Sequence, residues 1–424
     1  MKNNKAIYIF CTISLMLAVV YPALAHSSTF VGYFDELACV VLFGWACMLS
    51  IYKPVTLFSW EKKVAFLFLV IVLIGTVPYI ISQPNVKNAL FHDSFVFSKS
   101  IIAYFSVRIL FRNINIDFFM GKVINFHIIL LVLVVSLIII NRFLHFIPES
   151  NATRFGIVPE QLFFQHPSRL AFFSAYIFCI LFPSHIDNKK KILVLALLPG
   201  LMSLRVKFLA FAAVAALSLL FIKKIKKIKF LDPKIIIFSA LALFLVITIS
   251  YRQAITYYSA DSYYNGWARS VLTVNSISLS IEHFPIGTGF GTFGSYASGK
   301  YYSPLNYQLG FQHIYGLSPN DISFIADTFW PMLLGQFGII GCIIFATILF
   351  LFLKNLIFLH NNTEQNNIQR YLCFSGILLL VHLIIDSTSD AIFTQNRGVL
   401  AFIFIALIVN TYTTTGNTTI IHKK

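Results

Sequence analysis

Residues 329–353 read FWPMLLGQFGIIGCIIFATILFLFL, a run without one charged side chain. As a helix it rises about 37 Å at ~1.5 Å per residue, more than the ~30 Å hydrocarbon core of a bilayer. A run that long and that apolar reads as a membrane crossing rather than a soluble core helix.

Comparable runs lie on both sides of it. Residues 371–388 and 396–411 follow, and 6–25, 33–51, 64–82, 94–111, 123–144, 168–184, 191–204, 206–222 and 235–251 precede. The chain has 424 residues, 58% hydrophobic and 11% charged, with mean hydropathy +0.80. That leaves too little polar surface to cover a soluble domain. The expected fold is all-α: a polytopic membrane protein of about 12 transmembrane helices, with 1–424 as a single integral membrane domain. The run at 191–204 is short and interrupted by Pro199-Gly200, so it is expected to form a tight or irregular pair with 206–222. The N-terminus (MKNNK, an apolar run, then Ala23-Leu24-Ala25) fits a cleaved signal peptide or a retained first helix. The length of the run and the helices after it favour retention. Either way His26 falls outside.

The net charge of +16 is not a nucleic-acid footprint, because most Lys lies in short loops between apolar runs. With twelve crossings both termini share a side. That side collects Lys53, Lys62, Lys63, Lys122, 189–191 and the KKIKKIK run at 223–229, so it is expected to be cytoplasmic. The lysine run is expected to anchor topology at an anionic leaflet. The opposite side holds few cations, mostly arginine: Arg142, Arg154, Arg169, Arg205, Arg252, Arg269 and Arg397, with Lys87, Lys207 and Lys300. Arginine offers a permanent charge and a planar fork that grips phosphate oxygens. Pairing with Asp35, Glu36, Asp93, Glu149 or Asp261 is the plainer explanation. The six Cys lie in or beside apolar runs without C-x-x-C spacing and read as packing residues rather than metal ligands or disulfides.

One outer connection, about 252–328, is far longer than the rest. With its edge residue Tyr251 it carries ten of the 19 Tyr, too aromatic for a disordered linker. Those rings suit sugar stacking and membrane interfaces equally.

Three outer stretches combine charge, glycine and aromatic residues. In TRFGIVPEQLFFQHPSRLAFF (153–173), Arg154 precedes a glycine, and His166-Pro-Ser-Arg169 opens a helix whose N-terminus suits an anion. A plain loop and helix start fits as well. In SLRVKFLAF (203–211), Arg205 and Lys207 interrupt apolar sequence, which marks either function or snorkelling. The third begins with WARSVLTVNSISLSIEHF (267–284), an expected amphipathic helix with Ile277, Ile281 and Phe284 on one face. It ends at Asp327, which reads as an unpaired general base or a helix N-cap. Between them FPIGTGFGTFGSY (284–296) contains G-x-G-x-x-G at Gly289, Gly291 and Gly294. It is not a dinucleotide site: no strand precedes it, and no acidic residue stands about twenty residues on.

Arg269 followed by EHFPIGTGFGTF (282–293) resembles the O-antigen polymerase and O-antigen ligase family of bacterial glycan assembly. The ligases of that family continue with His-Asn/Ser/Gln, nine residues and a Gly-x-x-Gly/Thr/Tyr. Here Asp327-Thr328 is followed after the same spacing by Gly338-Ile-Ile-Gly341, with Asp in place of His. RFG with HPSRLA, and SLRVK, are similar to the family's earlier pieces. The resemblance covers about 150–345.

The resemblance implies a GT-C-like membrane fold and a large periplasmic loop between helices 9 and 10. It implies transfer of a glycan from undecaprenyl diphosphate to a hydroxyl, without cofactor or metal. The Asp leans toward a polymerase of O-antigen, capsular or exopolysaccharide repeats. A ligase to lipid A–core is the alternative, and a lipid-linked glycan flippase is a third reading, weakened by the lack of an internal repeat. On this reading Arg205 and Arg269 hold diphosphate, with Arg154, Arg169 and Lys207 in support. Asp327 is the candidate base, with His166 and His313 as rivals. Gly287, Gly289 and Gly291 bring bare backbone to the glycan. The expected setting is a bacterial inner membrane, both termini cytoplasmic. The expected partners are an undecaprenyl-diphosphate-linked oligosaccharide, membrane lipids, a flippase and a chain-length regulator, and no nucleic acid.

Overall fold

The computed structural model describes residues 2–413 apart from 26, 27, 29, 53–55, 83–86, 113–114, 148–152, 155, 185–187, 222–227, 229–247, 249–250, 252–254, 256–258 and 364–366. The expected crossing at 235–251, the lysine run at 223–229, Glu149 and Arg252 lie essentially outside the described residues. Among the described residues the chain is helical, with two isolated β-bridges and no strand.

The chain begins with α1 (Lys2–Leu15), which passes through one π turn (Met16–Val20) into α2 (Tyr21–Leu24). Next come α3 (Phe34–Tyr52), α4 (Ser59–Ser82), α5 (Lys87–Leu110), α6 (Ile116–Leu144), α7 (Pro167–Leu181), α8 (Lys189–Met202) and α9 (Val206–Phe221). Four short helices follow: α10 (Ala260–Tyr264), α11 (Ala268–Glu282), α12 (Tyr296–Lys300) and α13 (Pro304–Gln308). The long α14 (Phe329–Asn362), α15 (Asn367–Asp386) and α16 (Asn396–Thr413) close the chain.

Six helical spans among the described residues are long and apolar enough to cross a membrane: Lys5–Leu24, Val31–Tyr52, Ser59–Ile81, Phe118–Leu144, Phe329–Asn362 and Ile368–Asp386. This is the architecture of a membrane protein. The remaining apolar runs form shorter or more charged helices. α7 is only 15 residues, about 22 Å long. All of it but Arg169 is buried, the mark of a helix enclosed by others rather than facing lipid. α16 is enclosed in the same way from Val399 to Val409. α5 starts earlier than its apolar run predicts and turns Asp93, Lys99 and Arg108 inward.

Lys99 and Arg108 are paired with carboxylates, while Asp93 is held by neutral donors. Glu61 of α4 accepts from Arg108 Nε at 2.5 Å and Nη2 at 2.9 Å, from Tyr104 Oη at 2.7 Å and from the Phe58 amide at 2.8 Å. Arg108 also donates to Asn410, tying α4 and α5 to α16. Lys99 meets Asp35 at 2.5 Å and Glu36 at 3.3 Å, tying α5 to α3. Thus Asp35 and Glu36 neutralise a lysine inside the bundle, not one of the outer arginines. Breaking such a pair costs more than the pair contributes, which fixes helix register.

α8 runs unbroken through Pro199 and Gly200 to Met202, so the expected interruption there is absent. The pair with α9 is tight nonetheless. Only Ser203–Arg205 connect the two helices, with Leu204 at φ 49°. A Cβ on Gly200 would meet the Phe208 ring at 2.1 Å.

The described part of the long connection, 259–328, has a core of its own around Leu272, Leu279, Phe293, Phe311, Leu317 and Ile325. α11 uses Ala268, Val271, Leu272 and Leu279 for that core and packs on α14. The apolar face predicted from the sequence, Ile277, Ile281 and Phe284, is the exposed one.

The glycine stretch joins this small layer to the spanning helices. The amides of Thr288 and Gly289 donate to the carbonyls of Gly335 and Gln336 of α14, and the Phe290 amide donates to Gly75 O of α4. The Gly291 amide donates to Asp93 at 2.6 Å, and Gln336 Nε2 donates to the same carboxylate at 2.8 Å. α14 is kinked at Gly338 (φ 63°, ψ −169°) to receive the loop. A Cβ on Gly287 would lie 2.6 Å from Gly335 O, and one on Gly338 would lie 2.4 Å from Pro285 O. Both glycines hold positive φ, which L side chains adopt at a cost. Gly287→Ala is expected to destabilise the protein by about 1–3 kcal/mol from strain and backbone contact. Thermal unfolding of the purified protein in detergent checks this, and an unchanged midpoint would refute it.

Candidate functional site

The ends of α7, α8, α9, α14, α15 and α16, with the start of α11, bring one group of charges together. α7 opens with His166 in extended conformation and Pro167 in the first turn, where a missing N–H costs nothing. Arg169 follows within that turn and reaches Phe164 O at 3.5 Å. The α8–α9 turn presents Arg205 and Lys207. Arg154 sits on a small bridge with Ile157 across Gly156, and the Glu160 amide donates to Met202 O, which ties that loop to α8. Arg269 stands in the first turn of α11, and Asp327 lies two residues before α14.

Direct contacts link the group. Arg205 Nη2 lies 2.7 Å from His166 Nε2, and Arg269 Nη2 lies 2.9 Å from Asp327 Oδ2. Lys207 Nζ is 2.8 Å from Asp386 Oδ1 and donates to the Asp386 carbonyl at 3.0 Å. Arg397 reaches the same Asp386 at 3.3 Å and Asp390 at 2.5 Å. Six cations (Arg154, Arg169, Arg205, Lys207, Arg269 and Arg397) thus face three carboxylates (Asp327, Asp386 and Asp390), an excess of positive charge.

The electrostatics show how crowded this is. Burial, then the charges of Arg154 and Arg269, bring the Arg205 guanidinium down to about 10. Guanidiniums resist such shifts strongly, so only desolvation and like charges close by produce one. Among the described residues the buried Arg205 Nε has no hydrogen-bond partner. Burial raises the Asp327 carboxyl above its ordinary range against the pull of Arg269, and Asp390 adds to the rise. Burial alone would raise Asp390 too, but Arg397 and Lys207 outweigh it and hold that carboxyl low. An electropositive, partly desolvated cluster that includes a carboxylate favours a polyanion beside a group that needs a proton acceptor.

Hydrogen-bond chemistry fixes the state of His166. A guanidinium only donates, so His166 Nε2 accepts from Arg205 and the ring is neutral. The proton then sits on Nδ1, which cannot also accept from the Ser168 amide at 3.4 Å. Desolvation by the surrounding protein, then the Arg205 charge, push the imidazole down to about 3. His166 is therefore masked as a base while Arg205 holds it.

Seven residues singled out from the sequence meet in this group: Arg154, His166, Arg169, Arg205, Lys207, Arg269 and Asp327. Asp327 is not unpaired, and it is not the N-cap. It is paired with Arg269, and the residue that precedes α14 is Thr328. His313 is exposed beside Gln312 on the small layer, with no contact to the group among the described residues. Gly287, Gly289 and Gly291 pack against the protein's own helices: Cβ atoms there would strike α14, α4 and α5. Asp386 and Asp390 belong to none of the stretches that stand out in the sequence, and Arg397 reads there only as an outer cation. The available signal was DSTSD (386–390), two carboxylates bracketing a break between apolar runs.

The buried Asp386 bridges Lys207 and Arg397, so Asp386→Asn is expected to cost about 1.5–3 kcal/mol through weakened charge-assisted hydrogen bonds. A thermal shift in detergent reads this, and equal midpoints would contradict the bridge. No protein-family model matches the chain, and no curated protein matches it.

Proposed function

We propose that this protein is a membrane-embedded glycosyltransferase that polymerises undecaprenyl-diphosphate-linked oligosaccharide repeats into surface polysaccharide. The observation that carries the reading is the meeting of Arg205 and Arg269, far apart in sequence, in one positively charged group with Asp327 on its rim. The charged group lies where several helices begin and end together, as expected of one face of a membrane bundle. On this reading the face is periplasmic, the chain crosses the inner membrane about twelve times, and both termini are cytoplasmic.

The chemistry follows from the charges. The acceptor sugar hydroxyl gives its proton to Asp327 Oδ1, the oxygen not engaged by Arg269. The hydroxyl oxygen forms a bond to the anomeric carbon of the donor. The bond from that carbon to the diphosphate oxygen breaks, and its electron pair leaves with the lipid diphosphate. Arg205, Arg154 and Arg169 stabilise the charge gathering there. Arg269 both contacts the anion and orients Asp327.

Deleting the gene in the native host tests this. A polymerase mutant leaves core capped by a single repeat. Bare core with accumulated long lipid-linked chains would instead assign the ligase reaction. Repeats retained on the cytoplasmic leaflet would assign transport.

A further inference from the structure

We propose that Arg205 and His166 form an anion-released pair: when a phosphate group takes the Arg205 guanidinium, His166 Nε2 is freed, gains a proton from solvent and donates a hydrogen bond to a phosphate oxygen. This rests on the reading of the charged group as a diphosphate site and adds a mechanism to it. Without ligand, the one lone pair of the neutral ring is taken by Arg205 at 2.7 Å. Arg205 keeps one buried donor, Nε, unsatisfied, so its present contact leaves hydrogen-bonding capacity unused. A phosphate accepts from the guanidinium in two places and satisfies it better than an imidazole nitrogen does. Once Arg205 turns to the anion, His166 Nε2 has no donor facing it and a phosphate oxygen beside it. His166 also stands at the N-terminus of α7, where partial positive charge already favours the anion.

The groups that act on His166 are known from every side. Arg205 comes from the α8–α9 turn, Arg169 from α7 itself, and Asp390 and Arg397 from the α15–α16 end. Asp390 is held by Arg397 at 2.5 Å, so the ligand, not Asp390, supplies the uncompensated negative charge. In the free protein the ring protonates only near pH 3, since its value is about 3. Release from Arg205 and the negative charge of the phosphate raise that value toward the ordinary ~6.5, against the burial that remains. Between these limits the bound form holds more protons than the free form. Anion affinity therefore rises as pH falls through that window, and the effect vanishes above it.

The test measures inorganic pyrophosphate binding to the purified full-length protein in detergent by calorimetry, in buffers of different ionisation enthalpy, near pH 5.5. His166→Asn, whose side chain suits the N-cap position that His166 holds, serves as the comparison. Wild type is expected to take up more protons per pyrophosphate than His166→Asn, up to about one, with affinity gaining up to about ten-fold per pH unit relative to the variant. The ligand's own titration cancels in the difference. Equal uptake by the two proteins, with binding intact, overturns the pair and leaves the diphosphate reading standing. No binding by wild type overturns both. If His166→Asn fails to fold, absence of proton uptake by wild type alone overturns the pair. Repeating the titration with farnesyl diphosphate separates the two sources of the anion. Uptake there extends the pair to lipid-linked diphosphate, and uptake with pyrophosphate alone overturns its place in the transfer step.

Discussion

Arg205→Ala is expected to lower chain elongation about 100- to 1,000-fold, the usual effect of removing one preorganised donor from a developing anion. Donors that sit partly desolvated act more strongly than donors in water, and burial, then the charges of Arg154 and Arg269, depress the Arg205 guanidinium. Binding of the donor should weaken less than turnover, because charge on the departing diphosphate peaks in the transition state. Arg205→Lys keeps the charge but loses the planar fork, so it should recover only part of the rate. Both effects are read from polysaccharide length in the host and from elongation by purified protein on lipid-linked repeats. Long chains of normal abundance from Arg205→Ala would remove Arg205 from the mechanism. Loss of the folded protein is separated by its thermal midpoint, since Arg205 makes no ion pair with a carboxylate among the described residues.

The charged group was largely legible in the sequence because charges between apolar runs are costly and few. Arg154, Arg169, Arg205, Lys207 and Arg269 stand out where lysine is otherwise avoided, and helix ends bring them to one face. What the sequence hides is pairing. Asp386 and Asp390 look like ordinary turn residues until α15 and α16 place them against Lys207 and Arg397. The glycines show the same limit differently. Positive φ and small size are readable from G-x-G-x-x-G, but a ligand and a neighbouring helix ask for the same bare backbone. Only the contacts to Gly335, Gly338 and Gly75 decide that it is a helix. The apolar runs gave the helix positions well. They could not tell a lipid-facing helix such as α4 from an enclosed one such as α7, because both are apolar on most sides.

Asp327→Asn carries the largest effect expected on the proposed reaction, about 100- to 10,000-fold on elongation, the range for a general base. The amide keeps a hydrogen-bond acceptor for Arg269 but cannot take the hydroxyl proton at neutral pH. The pH dependence gives a sharper reading than the rate alone. Burial raises the Asp327 carboxyl, so the rate should rise with pH through a midpoint above the ordinary carboxylate value and flatten once the group is ionised. Acid pH silences it by protonation, not by unfolding, which the thermal midpoint at each pH separates. In Asp327→Asn the residual rate should lose that acid limb. Retention of the limb in the variant would move the base elsewhere. A full rate with the limb intact would leave Asp327 with the positioning of Arg269 alone. Asp327→Glu tests the geometry: it keeps a base but lengthens the arm, so the limb should persist while the rate falls. These profiles need only the purified full-length protein and its lipid-linked repeat, with elongation measured across acid to neutral pH.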